Sequence, residues 1–210
     1  MIRLLIADDL AISREGLKRI LEATGDMSVV AEAANGPEAV DKVRTSRPDV
    51  VVMDLSMPGQ GGLETAHELK RLLPAVRILM LTTHPEDHFA VRALREGADG
   101  YMTKDTRPEV LVSAIRQLHG GRKYISPTLA EHLALSLRDR TGGPPHQRLS
   151  TRELEILLMI GEGKTVGQIA RELHLSVKTV STYRTRILEK MNLRNNAEIM
   201  RYVLDQDLAR

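Results

Sequence analysis

The chain contains no cysteine and no tryptophan, one phenylalanine and four tyrosines. Without cysteine there can be no disulfide and no thiolate metal site, and the composition fits a reducing compartment. With so few aromatics, the cores must be built from Leu, Ile, Val, Met and Ala, which suits helices packed on a sheet. No stretch approaches the roughly 20 apolar residues that a membrane helix needs. The apolar start, Ile2 to Ala7, carries Arg3 and meets Asp8 and Asp9 before it could become a secretory segment. These absences predict a soluble, cytoplasmic protein with no membrane partner.

What is present fits one or two domains in 210 residues. Residues 1 to 144 carry 19 Lys and Arg against 20 Asp and Glu, whereas the remainder carries 11 against 8. The excess sharpens between Ser176 and Arg194, where Lys178, Arg184, Arg186, Lys190 and Arg194 face Glu189 alone. A basic patch on one helix is the electrostatic footprint of nucleic-acid binding.

Short apolar runs alternate with helical patterns through the first 120 residues. Ile2 to Ala7 precedes an amphipathic segment with Ile12, Leu17, Ile20 and Leu21, and Val29 to Ala33 precedes a helix opened by Gly36 and Pro37. Val50 to Asp54, Val76 to Thr82 and Asp99 to Thr103 each precede a further helix, the last starting at Pro108. Five such units predict an α/β doubly wound, five-stranded parallel sheet, with ligands beyond the carboxyl ends of its strands.

At that rim the chain concentrates chemistry. Asp8 and Asp9 end the first strand, Asp54 ends the third, Thr82 ends the fourth and Lys104 ends the fifth. The first and third strands lie side by side in such a sheet, so three carboxylates converge and repel unless a cation intervenes. An oxygen-only carboxylate site suits Mg²⁺, which keeps waters and recruits a phosphate oxygen. A hydroxyl and an ammonium beside it are what phosphoryl transfer requires, and they make Asp54 a candidate nucleophile. Each residue alone is more simply a cap, a turn or a solvated charge. Five of them at four strand ends are not.

With these motifs in place, residues 1 to about 120 resemble the receiver domain of bacterial two-component response regulators, a flavodoxin-like fold. The resemblance implies that Asp54 accepts phosphate from a sensor histidine kinase. It also implies that Asp8, Asp9 and Asp54 hold Mg²⁺ with the Ser56 backbone carbonyl. Thr82 would sense the phosphoryl group, Lys104 pair with it, and Tyr101 act as the aromatic switch turning inward with Thr82. Gln60 stands where the family often has an apolar residue.

Breakers at Gly120-Gly121 and Thr141 to Pro145 frame residues 121–147 as a linker with a short helix at Pro127 to Leu137, the clearest break falling at 140–147. Beyond it every segment is helical. Ser150 and Glu153 offer a capping box before Leu154, Ile156, Leu157 and Ile160. Ile169 to Leu188 then reads as helix, short turn, helix, with Ser176 capping the second. On that helix Val180, Ile187 and Met191 trace an inner stripe, and Lys178, Ser181, Thr182 and Thr185 share the opposite face. Small polar and basic side chains there suit base edges, while flanking Lys and Arg hold phosphates.

Leu149 to Leu157, Ile169 to Leu173 and Lys178 to Tyr183 resemble the LuxR-type four-helix DNA-binding domain, here assigned to residues 148–210. Joined to the receiver, this resembles a NarL/FixJ-class response regulator. Tyr183 stands where many members have His, and Lys164 to Gln168 departs from the commoner pattern. The expected DNA contacts are Lys178, Thr179, Ser181, Thr182, Thr185, Arg186 and Arg194. The last helix, with Ala197, Met200, Val203 and Leu204, forms the DNA-bound dimer interface in similar proteins, so a homodimer would read an inverted repeat in double-stranded DNA.

The resulting expectation is a transcription regulator whose phosphorylation at Asp54 controls dimerisation, with no enzymatic activity beyond its own phosphorylation and dephosphorylation. Two rivals stand beside it. A Mg²⁺-dependent phosphatase would need a second catalytic acid after Asp54 and a cap domain. A phosphate-independent DNA-binding protein would use the receiver as a dimerisation module only.

Overall fold

A computed structural model describes residues 1–83, 86–127, 129–130, 144–206 and 208. Of the expected linker helix at Pro127 to Leu137, residues 127, 129 and 130 are described and helical; its remainder, and residues 140–143 of the break at 140–147, fall outside the described residues. The chain divides into two compact units, Met1–Arg138 and Asp139–Arg210.

The first unit alternates strand and helix without interruption: β1 (Ile2–Ala7), α1 (Ala11–Glu22), β2 (Met27–Ala33), α2 (Gly36–Ser46), β3 (Val50–Met53), α3 (Gly62–Leu72), β4 (Arg77–Thr82), α4 (Glu86–Arg95), β5 (Gly100–Thr103) and α5 (Pro108–His119). All strand pairs are parallel, in the order β2-β1-β3-β4-β5. Because successive strand residues face opposite sides, each strand feeds two cores. Ile2, Leu4, Ile6, Val50, Val52, Leu79, Leu81 and Met102 pack with Leu111, Ala114, Ile115 and Leu118 of α5. The alternate residues Leu5, Val51, Met53, Ile78, Met80 and Tyr101 are buried too. Both faces being covered explains why β3 is the unbroken apolar run Val50–Met53.

Helix α1 covers only part of its amphipathic stripe. Only Leu21 of its apolar stripe is buried, while Ile12 is 84% and Ile20 37% exposed. Both line an open groove of about 390 Å³ together with Leu17, Leu81, Met102 and Leu111. The amphipathic pattern was therefore only partly a core pattern.

The second unit opens with a 3-10 turn at Pro145–Arg148, followed by α6 (Thr151–Gly161), α7 (Val166–Glu172), α8 (Val177–Met191) and α9 (Asn196–Asp205). Each helix starts on a residue whose side-chain oxygen accepts a backbone N–H of the first turn: Ser150, Thr165, Ser176 and Asn195. The unusual Lys164 to Gln168 stretch is a second capping box, Thr165 with Gln168, so a different sequence performs the same local task. The α7–α8 turn passes through His174 in the left-handed region (φ 52°), and Asn192 ends α8 in the same conformation.

Candidate functional site

Strand order brings the acids together, because β1 and β3 are hydrogen-bonded neighbours with Ala7 opposite Met53. The next residues, Asp8 and Asp54, therefore leave the sheet side by side, and the Asp54 N–H donates to the Ala7 carbonyl at 2.7 Å. Asp8, Asp9 and Asp54 each present a carboxylate oxygen, all within 4.8 Å of one another. From β5, Lys104 Nζ donates to Asp8 Oδ2 at 2.7 Å and to Asp54 Oδ2 at 2.8 Å.

The electrostatics follow from this geometry. Burial raises the Asp9 carboxyl above its ordinary pKa, and the neighbouring Asp54 and Asp8 charges raise it further. Burial pulls the Lys104 ammonium down, but Asp54 and Asp8 outweigh it and the net shift is upward. Three carboxylates and one ammonium leave two negative charges in a small, half-enclosed space. An oxygen-only donor set with that surplus fits a hard divalent cation such as Mg²⁺.

The other expected residues are close by. Thr82 is buried and its strand register sets it beside Thr103, one residue before Lys104; the Lys104 N–H donates to the Thr82 carbonyl at 2.7 Å. Tyr101 is fully buried. Ser56 is half-buried, its N–H reaching Asp54 Oδ1 at 3.4 Å.

Sequence reasoning missed two supports of Asp8. The Ser13 hydroxyl donates to Asp8 Oδ2 at 2.6 Å, and Arg14 donates to the Asp8 carbonyl at 2.6 Å. Their position in the first turn of the helix that follows the acid pair was the available signal. It also missed Gly62, where a Cβ would lie 2.2 Å from the Asp54 carbonyl oxygen. The turn after β3 must be this tight for α3 to start beneath the site.

In the second unit, Lys178, Ser181, Thr182, Thr185, Arg186 and Arg194 are exposed, while Val180, Ile187 and Met191 of α8 are buried. Thr179 is half-buried, and its hydroxyl pairs with that of Ser176 at 2.8 Å. Two cations of the basic run serve the unit itself. Lys190 donates to the buried Glu153 at 2.6 Å, and Arg184 holds Asn196 at 2.5 Å. In α9, Val203 is core, Ala197 is exposed and Leu204 is 67% exposed.

These two sites, acidic and basic, agree with comparison to known proteins. Residues 4–116 match the response regulator receiver domain, and residues 147–203 match the bacterial regulatory proteins of the luxR family. The chain belongs to the response regulators that join a receiver to a LuxR-type DNA-binding domain, the NarL/FixJ type. It is 42% identical over 200 residues to response regulator UvrY of Escherichia coli (strain K12), covering 95% of this chain and 92% of that protein. It is equally identical over 200 residues to response regulator GacA of Pseudomonas aeruginosa, covering 95% and 94%. Among solved structures it is similar to RcsB from Salmonella enterica serovar Typhimurium bound to promoter rprA in the presence of phosphomimetic BeF3-, with TM-score 0.61, 27% identity and coverage of 97% and 98%. The chain is thus a DNA-binding response regulator. Among the described residues no helix is long and apolar enough to cross a membrane.

Proposed function

We propose that Asp54 is the phosphoacceptor of a switch that controls DNA binding, and that a sensor histidine kinase is its donor. The observation that carries this reading is Lys104 bridging Asp8 and Asp54 within the acid triad. Asp8, Asp9, Asp54 and the Ser56 carbonyl would hold Mg²⁺, which supplies charge neutralisation at the transferring group. An Asp54 oxygen forms the new P–O bond as the donor's P–N bond breaks, and the departing imidazole takes up a proton. Lys104, already within reach of Asp54, then pairs with a phosphoryl oxygen. Thr82 and Tyr101 respond to the new charge. The chain acts on its own aspartate and turns over no external substrate.

Residues 1–120 form the receiver, 121–147 the linker and 148–210 the DNA-binding domain. Lys178, Thr179, Ser181, Thr182, Thr185, Arg186 and Arg194 contact double-stranded DNA, with Thr179 acting chiefly through the helix cap. Exposed Leu204 on α9 supports a homodimer, favoured by phosphorylation, that reads an inverted repeat in the cytoplasm. The RcsB structure bound to a promoter in the presence of BeF3- supports the same linkage between receiver and DNA.

Incubation with Mg²⁺ and acetyl phosphate, followed by intact-mass measurement, tests this. A single phosphoryl adduct in wild type, absent in Asp54→Ala, together with tighter DNA binding of the labelled form, is expected. No adduct, or DNA affinity unchanged by it, gives the phosphate-independent reading the lead.

A further inference from the structure

The recognition helix α8 carries an apolar side chain that its own unit does not use. Val177, the first residue after the Ser176 cap, is 56% exposed. At helical spacing it belongs to the row Val177, Ser181, Thr185, beside a second row Lys178, Thr182, Arg186. Apart from Val177, every member of the two rows is polar, and all six are exposed. The buried stripe of Val180, Ile187 and Met191 occupies the other side. Val177 therefore continues the DNA-facing surface rather than the core.

The threonines of this surface narrow what it can recognise. Thr182 donates its hydroxyl hydrogen to the Lys178 carbonyl at 3.0 Å, and Thr185 donates to the Ser181 carbonyl at 3.1 Å. In this arrangement each offers a base edge a γ-methyl and an acceptor, not a donor. A first-turn valine with two such threonines is a methyl-rich face, and the major groove displays one methyl group, the C5-methyl of thymine. First-turn residues of a recognition helix reach base edges, while Lys178 and Arg186 supply charge complementarity to phosphates.

Resting on the DNA-binding reading above, we infer that Val177 is a specificity-determining residue that packs its isopropyl group on a thymine C5-methyl in the major groove.

The test uses the full-length chain treated with Mg²⁺ and acetyl phosphate, selecting duplexes from a randomised pool. Wild type selects a site containing a required thymine, and Val177→Ala selects a site from which that one preference is lost. Replacing that thymine by uracil, which removes only the methyl, weakens wild type roughly four-fold, the worth of one buried methyl group, and leaves Val177→Ala unchanged. Val177→Thr, which keeps one γ-methyl, retains part of the preference. If Val177→Ala selects the same site with every thymine intact, or uracil weakens both proteins equally, the assignment is overturned while DNA binding stands. If wild type enriches no sequence at all, the DNA-binding reading and this inference fall together.

Discussion

Replacing Gly62 by alanine separates the glycines of the loop after Asp54 by cause. A Cβ at Gly62 would lie 2.2 Å from the Asp54 carbonyl oxygen, 2.9 Å from Leu55 Cα and 2.9 Å from Met80 Cε. Two of those atoms are backbone and cannot swing away, so the strand end or the start of α3 must move. Forcing an extra carbon into such packing costs about 3 kcal/mol, offset by about 0.5 to 1 kcal/mol from the better helix propensity of alanine. The net expectation is about 2 kcal/mol. Gly59 differs in kind, with open space around it but φ of 77°, so Gly59→Ala costs about 1 to 2 kcal/mol of backbone strain. At Gly61 the nearest atom to a Cβ is Glu64 Oε2 at 2.7 Å, the free end of a flexible side chain, so Gly61→Ala costs only the poorer N-cap of α3, about 0.5 to 1 kcal/mol. Urea unfolding of the receiver, followed by far-UV circular dichroism, resolves the order. With a slope of about 2 kcal/mol/M, Gly62→Ala lowers the midpoint by about 1 M, and labelling of Asp54 by acetyl phosphate falls with it. A Gly62→Ala midpoint equal to wild type, or a Gly61→Ala loss as large as that of Gly62→Ala, refutes the reasoning.

Removing the shared cation by Lys104→Met leaves the three carboxylates facing one another, so the variant should gain more melting temperature from millimolar Mg²⁺ than wild type does; equal gains count against the bridging role. Burial pushes the Glu153 carboxyl up, but the Lys190 and Ser150 donors outweigh it and hold the group below the ordinary carboxylate range. Its stabilisation is therefore present above the unfolded value of about 4.3 and is lost as pH falls through the lowered folded value. Glu153→Gln should cost about 2 kcal/mol at pH 7 and flatten the acid side of the stability profile of the DNA-binding unit, measured by chemical denaturation from about pH 7 to 3. In DNA titrations across salt concentrations, Arg186→Ala should reduce the log–log slope by about 0.9 per subunit, whereas Lys190→Ala, whose ammonium is committed to Glu153, should leave the slope unchanged and lower thermal stability instead.

The acid pocket was legible because its information is local and repeated. Each strand is a short apolar run, each polar residue sits just past the end of one, and the parallel topology follows from strict alternation. Asp8, Asp9, Asp54 and Lys104 could be brought together from spacing alone, and hydrogen bonds of 2.7 and 2.8 Å join Lys104 to two of them. Helix caps were legible for the same reason, since Ser150 and Glu153 need only three residues of context. The α1 stripe was not, because periodicity reports which residues share a face and not whether another element covers it. Ile12 has the right spacing for a core residue and is 84% exposed.

The segment after α5 shows what spacing alone cannot supply. Gly120 and Gly121 read as the end of the sheet domain, yet the chain returns to it: Tyr124 bridges Gly100 in parallel, and its N–H donates to the Asp99 carbonyl at 3.0 Å. A Cβ at Gly100 would sit 3.0 Å from Leu79 Cδ1 and 3.1 Å from Tyr124 Cβ, so this glycine is required by a partner far along the chain. Nothing within a helical or strand period connects the two residues. On the switch role proposed for Tyr101 the bridge would bear on function as well as architecture, because Gly100 directly precedes Tyr101 in β5. Tyr101 is fully buried in the sheet domain, so any displacement of its backbone acts on the one strand to which the outgoing chain is bridged. A Gly100→Val substitution, whose Cβ would crowd Leu79 and Tyr124 and none of Asp8, Asp54 or Lys104, should therefore preserve acetyl phosphate labelling of Asp54 and weaken the dependence of DNA affinity on that label. Labelling and DNA affinity that remain coupled as in wild type would show that the bridge is architectural only.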